Sequence, residues 1–248
     1  MARRVRLGIA LLLLGLLATT TTARPAAAQA RCSVPAGASS TLAEVDPAIR
    51  LAFIQRELGD QSARARLWSA GWAAGGLGLT GYGLVDAALQ KDHDKRTANI
   101  ISSIPSLSYP LEALFDPPRV IVDSRLLNDL LRITASPPGQ EPLMDTCILL
   151  SRAEWLLAHA ARDERARAGL VRHGLGFAVA IALGAIATFA LHDPVDGALD
   201  FVGSIAISEL HLWMAPTGAA TALARYRDGA LALPAAPQSF GIWVPLSF

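Results

Sequence analysis

Long apolar blocks with helical spacing dominate the chain. Four of them carry few or no charges and are long enough for helices that cross a lipid bilayer: residues 67–89, 97–115, 174–191 and 197–215. The third block has no charged residue, and the second contains two prolines. The pattern predicts an all-α protein with four long apolar helices, associated with a membrane.

Amphipathic helices are predicted on either side of these blocks. Asp46-Pro47 is typical of an N-cap followed by proline at the first helical position, and Gly59 is predicted to end the helix that starts there. Further amphipathic helices are predicted at residues 147–162 and 217–227. The polar, proline-containing stretch 117–144 is predicted to be a linker that contains only a short helix at residues 125–132.

The order of elements occurs twice. Residues 47–116 and residues 145–216 each show an amphipathic helix, a long apolar helix, a turn and a second apolar helix. At an offset of 103 residues, Asp60, Arg64, Gly71 and Gly81 correspond to Asp163, Arg167, Gly174 and Gly184. The pattern predicts two repeated helical hairpins. Such symmetry occurs in membrane transport folds and in soluble four-helix bundles, so it leaves the function open.

Both ends of the chain differ from the helical middle. Residues 1–30 have a basic start, an apolar run and the sequence Ala28-Gln29-Ala30, which together predict a cleaved secretory signal peptide. The protein is therefore expected in the periplasm or in a membrane of the cell envelope. Residues 31–46 are predicted to be a tether. In the C-terminal segment 217–248, alternating apolar residues after the helix predict a short extended tail at 240–248.

Composition and charge narrow the function classes. Apolar residues make up 52% of the chain, more than in an ordinary soluble domain. The signal segment holds four of the 22 basic residues and none of the 21 acidic ones, so the mature chain has a formal charge of −3. This balance gives no basic surface for nucleic acid. The expected partners are membrane lipid and either a second copy of the chain or another envelope protein.

The two cysteines, Cys32 and Cys147, both remain after cleavage of the signal peptide. An even pair in an oxidising compartment predicts a disulfide. The alternative is two buried free thiols. Neither cysteine has a histidine at the spacing of a zinc site, so no metal site is predicted there.

A polar stripe runs along the fourth apolar block. Asp200, Ser204, Ser208 and His211 recur at spacings that place them on one face of a helix. Asn99 and Ser103 share a face of the second block in the same way. If the two hairpins pair symmetrically, these stripes meet and line a polar cavity. The alternative is that these side chains only form hydrogen bonds between packed helices.

The chain carries no recognisable catalytic motif. The residues therefore favour a non-enzymatic, membrane-associated scaffold or binding protein, with no cofactor. A soluble periplasmic bundle that binds an apolar ligand or a partner is the second interpretation. A serine-type hydrolase using Ser204 or Ser208 with His211 and Asp200 is the third. The turn Asp92-His93-Asp94 is interpreted as a solvated turn and not as a metal site.

Overall fold

The computed structural model describes residues 32–135 and 143–231 of the chain. All regular secondary structure in these two stretches is helical, which confirms the predicted all-α fold for this part of the protein. The predicted signal peptide (1–30) and the predicted extended tail (240–248) lie outside the described residues.

The helices follow one another with short connections. In chain order they are α1 (Ser40–Glu44), α2 (Pro47–Leu89), α3 (His93–Ser103), α4 (Ser108–Phe115), α5 (Arg119–Thr134), α6 (Thr146–Arg167), α7 (Leu170–Ala185), α8 (Pro194–Trp213) and α9 (Ala219–Arg227). A 3-10 turn, Ile104–Leu107, joins α3 to α4, and a π-helical turn, Ile186–Ala190, extends α7.

Aspartate side chains start several of these helices. Asp46 caps α2, Asp92 caps α3, Asp145 caps α6 and Asp193 caps α8, each by accepting hydrogen bonds from backbone N–H groups of the first turn. These bonds satisfy donors that have no partner inside the helix, and the negative charge interacts favourably with the helix dipole. The helix starts are therefore encoded locally.

Helix α2 runs without a break for 43 residues, about 65 Å. The predicted end at Gly59 is therefore wrong. A glycine inside a helix costs about 0.5–1 kcal/mol relative to alanine. The buried side chains of Leu58, before the glycine, and Ala65, after it, offset that cost, because they anchor both sides of the glycine in the core.

The first half of α2, residues 47–67, packs with α5, α6 and α9 around one hydrophobic core. We call this part the bundle. Its largest fully buried apolar side chains are Tyr226, Phe53, Leu42, Ile54, Leu58, Leu127, Leu150, Leu156 and Leu157. Leucines and alanines of α6 lie at the centre of this core.

Two segments predicted to be connectors belong to the bundle instead. The predicted tether, 31–46, contains α1, whose Leu42 is completely buried. The predicted linker, 117–144, contains the 16-residue α5, which begins before the short helix expected at 125–132 and buries Val120 and Leu127. In both cases a few apolar residues at helical spacing dock onto the core, although polar and proline residues dominate the composition.

Cys32 and Cys147 lie at disulfide-bonding distance, with 1.99 Å between the sulfur atoms. The predicted disulfide is thus present in the structure. It ties the segment before α1 to the first turn of α6 across 115 residues of sequence. Closing a loop of this length stabilises the folded state by about 3–5 kcal/mol in the chain-entropy account.

The remaining helices form what we call the apolar half: residues 68–89 of α2, then α3, α4, α7 and α8. The second half of α2 packs against α3 and α4, and α7 packs against α8, so this half consists of two hairpins. Many of its large apolar side chains are exposed on the outer surface, among them Leu77, Val85, Leu89, Leu114, Phe115, Ile181, Phe189, Val195, Val202, Leu210 and Trp213. We call this surface the apolar belt.

Candidate functional site

A cleft of about 980 Å³ separates the two hairpins of the apolar half. Its walls come from α2, α3, the 3-10 turn, α4, α7 and α8. It extends from Asp116 and Arg172, next to the bundle, to Asp86 and Asn99, near the turns at the opposite end, which we call the far end. The walls are mainly apolar, and a seam of polar side chains runs along the cleft.

The structure places all six predicted cavity residues on the wall of this cleft: Asn99, Ser103, Asp200, Ser204, Ser208 and His211. They come from two helices, α3 and α8, that belong to different hairpins. The partner of Asp200 is not a residue of the opposite stripe, as was expected, but the neighbouring Ser102. Asp200 accepts a hydrogen bond from Ser102, 2.6 Å between the oxygen atoms, while the hydroxyl of the neighbouring Ser103 donates to the carbonyl of Ile100 within its own helix.

At the far end the cleft holds two carboxylates with neutral partners. Asp86 of α2 accepts a hydrogen bond from the side-chain amide of Asn99, with 2.5 Å between nitrogen and oxygen. Asp200 of α8 is bound by Ser102, so the two donors lie one turn apart on α3. Within the described residues, neither carboxylate forms an ion pair with an arginine or lysine. The sequence interpretation did not include Asp86 or Ser102, since neither belongs to the stripes that it compared.

The break between α3 and α4 also lines the cleft. Pro105 and Pro110 have no N–H to donate, so they interrupt the helical hydrogen bonds. The carbonyl of Ser103 accepts a hydrogen bond from the Thr80 hydroxyl at 3.3 Å. The carbonyl of Ser106 lies against Gly76, where a Cβ atom would come within 2.4 Å of it.

A network of charges closes the end of the cleft next to the bundle. Arg172 lies 3.1 Å from Asp116 and 3.5 Å from Glu112. Arg167 forms ion pairs with the same two carboxylates and with Asp163, at 3.0 Å. Both guanidinium groups at this end are therefore already paired with acidic side chains.

His211 lies beside this network inside a group of aromatic rings. The ring centroids of Trp68, Trp72 and Tyr109 lie 4.6, 4.9 and 4.9 Å from the imidazole centroid. The Nε2 atom of His211 is 3.9 Å from the Glu112 carboxylate. His211 thus joins α2, α4 and α8 where the bundle meets the apolar half.

The geometry does not assemble a serine nucleophile and its base. Within the described residues, no hydrogen bond joins Ser204 or Ser208 to His211. The Ser208 hydroxyl instead faces Gly176, where a Cβ atom would lie 2.3 Å away. Asp200, the expected third member of a triad, is held by Ser102.

The described residues contain no group of three histidine, cysteine, aspartate or glutamate side chains that could hold a metal ion. Asp92, in the turn that was considered for a metal, caps α3 by accepting from the backbone N–H groups of Asp94 and Lys95. These backbone hydrogen bonds lower the pKa of the Asp92 carboxyl below its ordinary value, and the bond from Lys95 contributes most. The turn therefore starts a helix.

No protein-family model, no curated protein sequence and no solved structure matches the chain.

Proposed function

We propose that the protein is a membrane-embedded protein of the cell envelope that holds an amphipathic, lipid-like molecule in the cleft between its two hairpins. The observation that carries this proposal is the apolar belt. Large exposed apolar side chains cover both hairpins, whereas the bundle keeps most of its apolar side chains in a core. Soluble monomers rarely expose apolar surface on this scale.

The dimensions of the apolar half suit a bilayer. Residues 68–89 of α2 would extend about 33 Å, and α7 with its π turn about 31 Å, against a hydrocarbon thickness of about 30 Å. By length and composition alone, one helical stretch of the described residues, Thr146–Ala190, is long and apolar enough to cross a membrane, and 22% of its most apolar window is buried. The other helices of the apolar half carry the polar side chains that line the cleft.

The boundary between the bundle and the apolar half resembles a membrane interface. Trp68, Trp72, Tyr109 and Trp213 lie at this level, together with the ion pairs of Arg167 and Arg172. Tryptophan and tyrosine are enriched where a bilayer meets water, and charged groups are at home among lipid headgroups. This arrangement supports insertion of the apolar half up to that level.

The shape and lining of the cleft support binding of an amphipathic molecule. Its volume is at the upper end of the range for small-molecule sites. Leu79, Leu175, Val179 and Leu199 provide apolar walls, and the hydroxyl, amide and carboxylate groups described above provide a polar seam. A hydrocarbon chain with a polar headgroup matches both.

Export is part of the same proposal. A cleaved signal peptide (1–30) would leave the bundle and its disulfide in an oxidising compartment, where such bonds persist. Lys91, in the turn before α3, and Lys95 and Arg96, in the first turn of α3, would then lie on the cytoplasmic side, as the positive-inside rule favours. We further propose that the two hairpins are products of a duplication, although the Pro105 break in one has no counterpart in α8.

The second candidate is a soluble periplasmic bundle that covers its apolar belt with an envelope protein or a second copy of the chain. The observation that favours it is the basic character of the residues before α7. Arg162 and Arg165 are exposed on the side that a cleaved signal would leave outside the cytoplasm, which the positive-inside rule disfavours.

Fractionation of expressing cells separates the two candidates. An embedded protein should stay in the membrane pellet through carbonate washing and enter solution only with detergent. A soluble assembly should leave the membranes with carbonate and elute as a larger complex, which would refute the embedded form. Native mass spectrometry of the detergent-purified protein should then show bound amphipathic molecules. A protein without any such adduct would contradict cleft binding.

A further inference from the structure

We infer that the far end of the cleft binds a positively charged amine headgroup, so that the bound amphiphile is an alkylamine-type molecule whose hydrocarbon chain lies between the hairpins. This inference rests on the proposed function, because it assigns a chemical class to the occupant of the same cleft. It is carried by the distribution of charge along the cleft and by the position of the two carboxylates near one end.

Within the part of the chain that the structure describes, the charged groups that face the cleft have countercharges next to the bundle but not at the far end. Next to the bundle, Arg172 lies between Glu112 and Asp116, so opposite charges are already paired. Among the residues that the structure describes, the charged groups on the wall at the far end are Asp86 and Asp200, and their partners are a neutral amide and a neutral hydroxyl. Among the described residues, Lys91 before α3 and Lys95 and Arg96 at its start make no ion pair with either carboxylate. A cationic ligand would supply the missing countercharge.

The geometry around the two carboxylates suits an ammonium group. Asn99 and Ser102 hold Asp86 and Asp200 on the same side of α3, three residues apart. Each carboxylate uses one oxygen for its bond to α3, so its second oxygen can still accept a hydrogen bond. A primary ammonium has three N–H donors, enough to donate a hydrogen bond to the second oxygen of each carboxylate. The ring of Tyr82, one turn from Asp86, lines the same part of the cleft and can stack against a cation.

The two carboxylates lie at the depth at which the headgroup of an amphiphile in one leaflet would lie, with its hydrocarbon chain toward the bilayer centre. Asp86 lies three residues from the end of α2, and Asp200 lies six residues from the start of α8. The headgroup would therefore lie about 5–9 Å inside the far boundary of the apolar half. From there the chain would extend toward the bilayer centre along Val179 and Ile207. An anionic headgroup at the same place would face two carboxylates without a base.

Binding of three amphiphiles that share one hydrocarbon chain tests the inference. The detergent-solubilised full-length protein is titrated near neutral pH with oleylamine, oleyl alcohol and oleic acid, and affinity is measured by competition against a fluorescent alkylamine. We expect oleylamine to bind at least tenfold more tightly than the alcohol or the acid. The preference should disappear in the double variant Asp86→Asn/Asp200→Asn. It should persist in Asp196→Asn, a change on the same helix that lies outside the cleft wall.

Each alternative result has a definite meaning. Equal binding of all three probes, tighter binding of oleic acid, or an amine preference that survives in the double variant would overturn the headgroup assignment and leave the cleft as a general lipid site. Another result would be that sodium or potassium chloride stabilises the wild type while N-methylglucamine chloride does not, with the effect lost in the double variant. That result would assign the carboxylates to a small cation and overturn the headgroup assignment as well. If none of the probes binds, the proposed function itself fails. Even if the double variant does not fold, the ranking of the three probes on the wild-type protein tests the headgroup assignment, because the assignment requires oleylamine to bind most tightly.

Discussion

The Arg50 guanidinium donates a hydrogen bond through Nε to the hydroxyl of Tyr226, 2.9 Å away and 176 residues later in the sequence. Glu154 accepts from both groups, and the backbone carbonyl of Ser33 accepts a further bond from Arg50. Burial, followed by the bond to Glu154, raises the pKa of the Tyr226 hydroxyl well above its ordinary value, so it remains a donor. This buried group connects α2, α6 and α9 at the centre of the bundle.

Replacing Arg50 by methionine should destabilise the bundle strongly. The side chain is 1% exposed, and its removal leaves the Glu154 carboxylate without a countercharge in a largely buried position. Breaking a buried ion pair from one side typically costs about 3–5 kcal/mol. Thermal unfolding in detergent should show a large loss for Arg50→Met and little change for the exposed Arg64→Met. The double variant Arg50→Met/Glu154→Gln should recover part of the loss. Equal stability of the two single variants would contradict the structural role of Arg50.

Removing the disulfide should have a comparable effect on the same part of the molecule. The double variant Cys32→Ser/Cys147→Ser opens a loop of 115 residues, for which the chain-entropy account predicts a loss of about 3–5 kcal/mol. Unfolding curves with and without a reducing agent provide the measurement. The reductant should lower the stability of the wild type and leave that of the variant unchanged. A wild type that does not respond to reduction would show that the bond contributes nothing in solution.

The sequence predicted those features of the fold that depend on neighbouring residues. Helical spacing revealed the apolar helices, and the common face of Asp200 and His211 followed from that spacing. It could not show which faces of distant helices meet. The pairing of Asp86 with Asn99 is set by how α2 packs on α3, and the pairing of Arg172 with Asp116 is set by contact between the two hairpins.

Errors in the sequence interpretation have the same physical origin. Gly59 is an unfavourable residue for a helix, yet α2 continues through it because buried side chains on adjacent turns anchor it. The polar composition of residues 117–144 hid helix α5, which packs on the core through five apolar side chains: Val120, Ile121, Leu127, Leu130 and Leu131. Local preferences of about 1 kcal/mol were outweighed in both places by tertiary packing.

The stability of the bundle should depend on pH through Glu164. This carboxylate accepts hydrogen bonds from the backbone N–H groups of Ala219 and Ala220 at the start of α9, with the first at 2.7 Å. Burial nevertheless raises its pKa above the ordinary value of 4.5. The folded state therefore holds the proton at pH values at which the unfolded chain has released it. Stability should decrease as pH rises from about 4.5 through the raised pKa.

Glu164→Gln tests this dependence, since glutamine keeps a carbonyl acceptor for Ala219 but does not titrate. Chemical unfolding at a series of pH values should show a shallower decrease of stability in the variant above about pH 4.5. The pKa of Asp123 is also raised by burial, so part of the decrease of stability with rising pH should remain in both proteins. Identical pH profiles would show that Glu164 titrates alike in the folded and unfolded states.

Replacing a glycine of α2 by alanine should lower the stability only where that glycine contacts the 3-10 turn and α4. At Gly76 a Cβ atom would lie 2.4 Å from the backbone carbonyl of Ser106, so Gly76→Ala must push α4 away and change the cleft. At Gly78, on the same helix, a Cβ atom has nothing within 4 Å, and alanine should be neutral or slightly stabilising. We expect the Gly76 variant to lose about 1–3 kcal/mol, as overpacked sites do. A neutral Gly76→Ala would mean that α2 and α4 are not in close contact.

Fluorescence quenching by lipids brominated on their acyl chains should locate the bilayer boundary. Trp213 lies at the end of α8 in the apolar belt and is 81% exposed. Trp155 is 44% exposed, but it lies in the bundle, 12 residues before the end of α6, about 18 Å along the helix. Two variants that each keep only one of these tryptophans, with phenylalanine at the other four positions, are reconstituted into liposomes. The Trp213 variant should be quenched strongly and the Trp155 variant little, because only the apolar half would contact acyl chains. If both are quenched equally, the bundle would lie in the membrane too. If neither is quenched, the apolar belt would be covered by protein, as the soluble alternative requires.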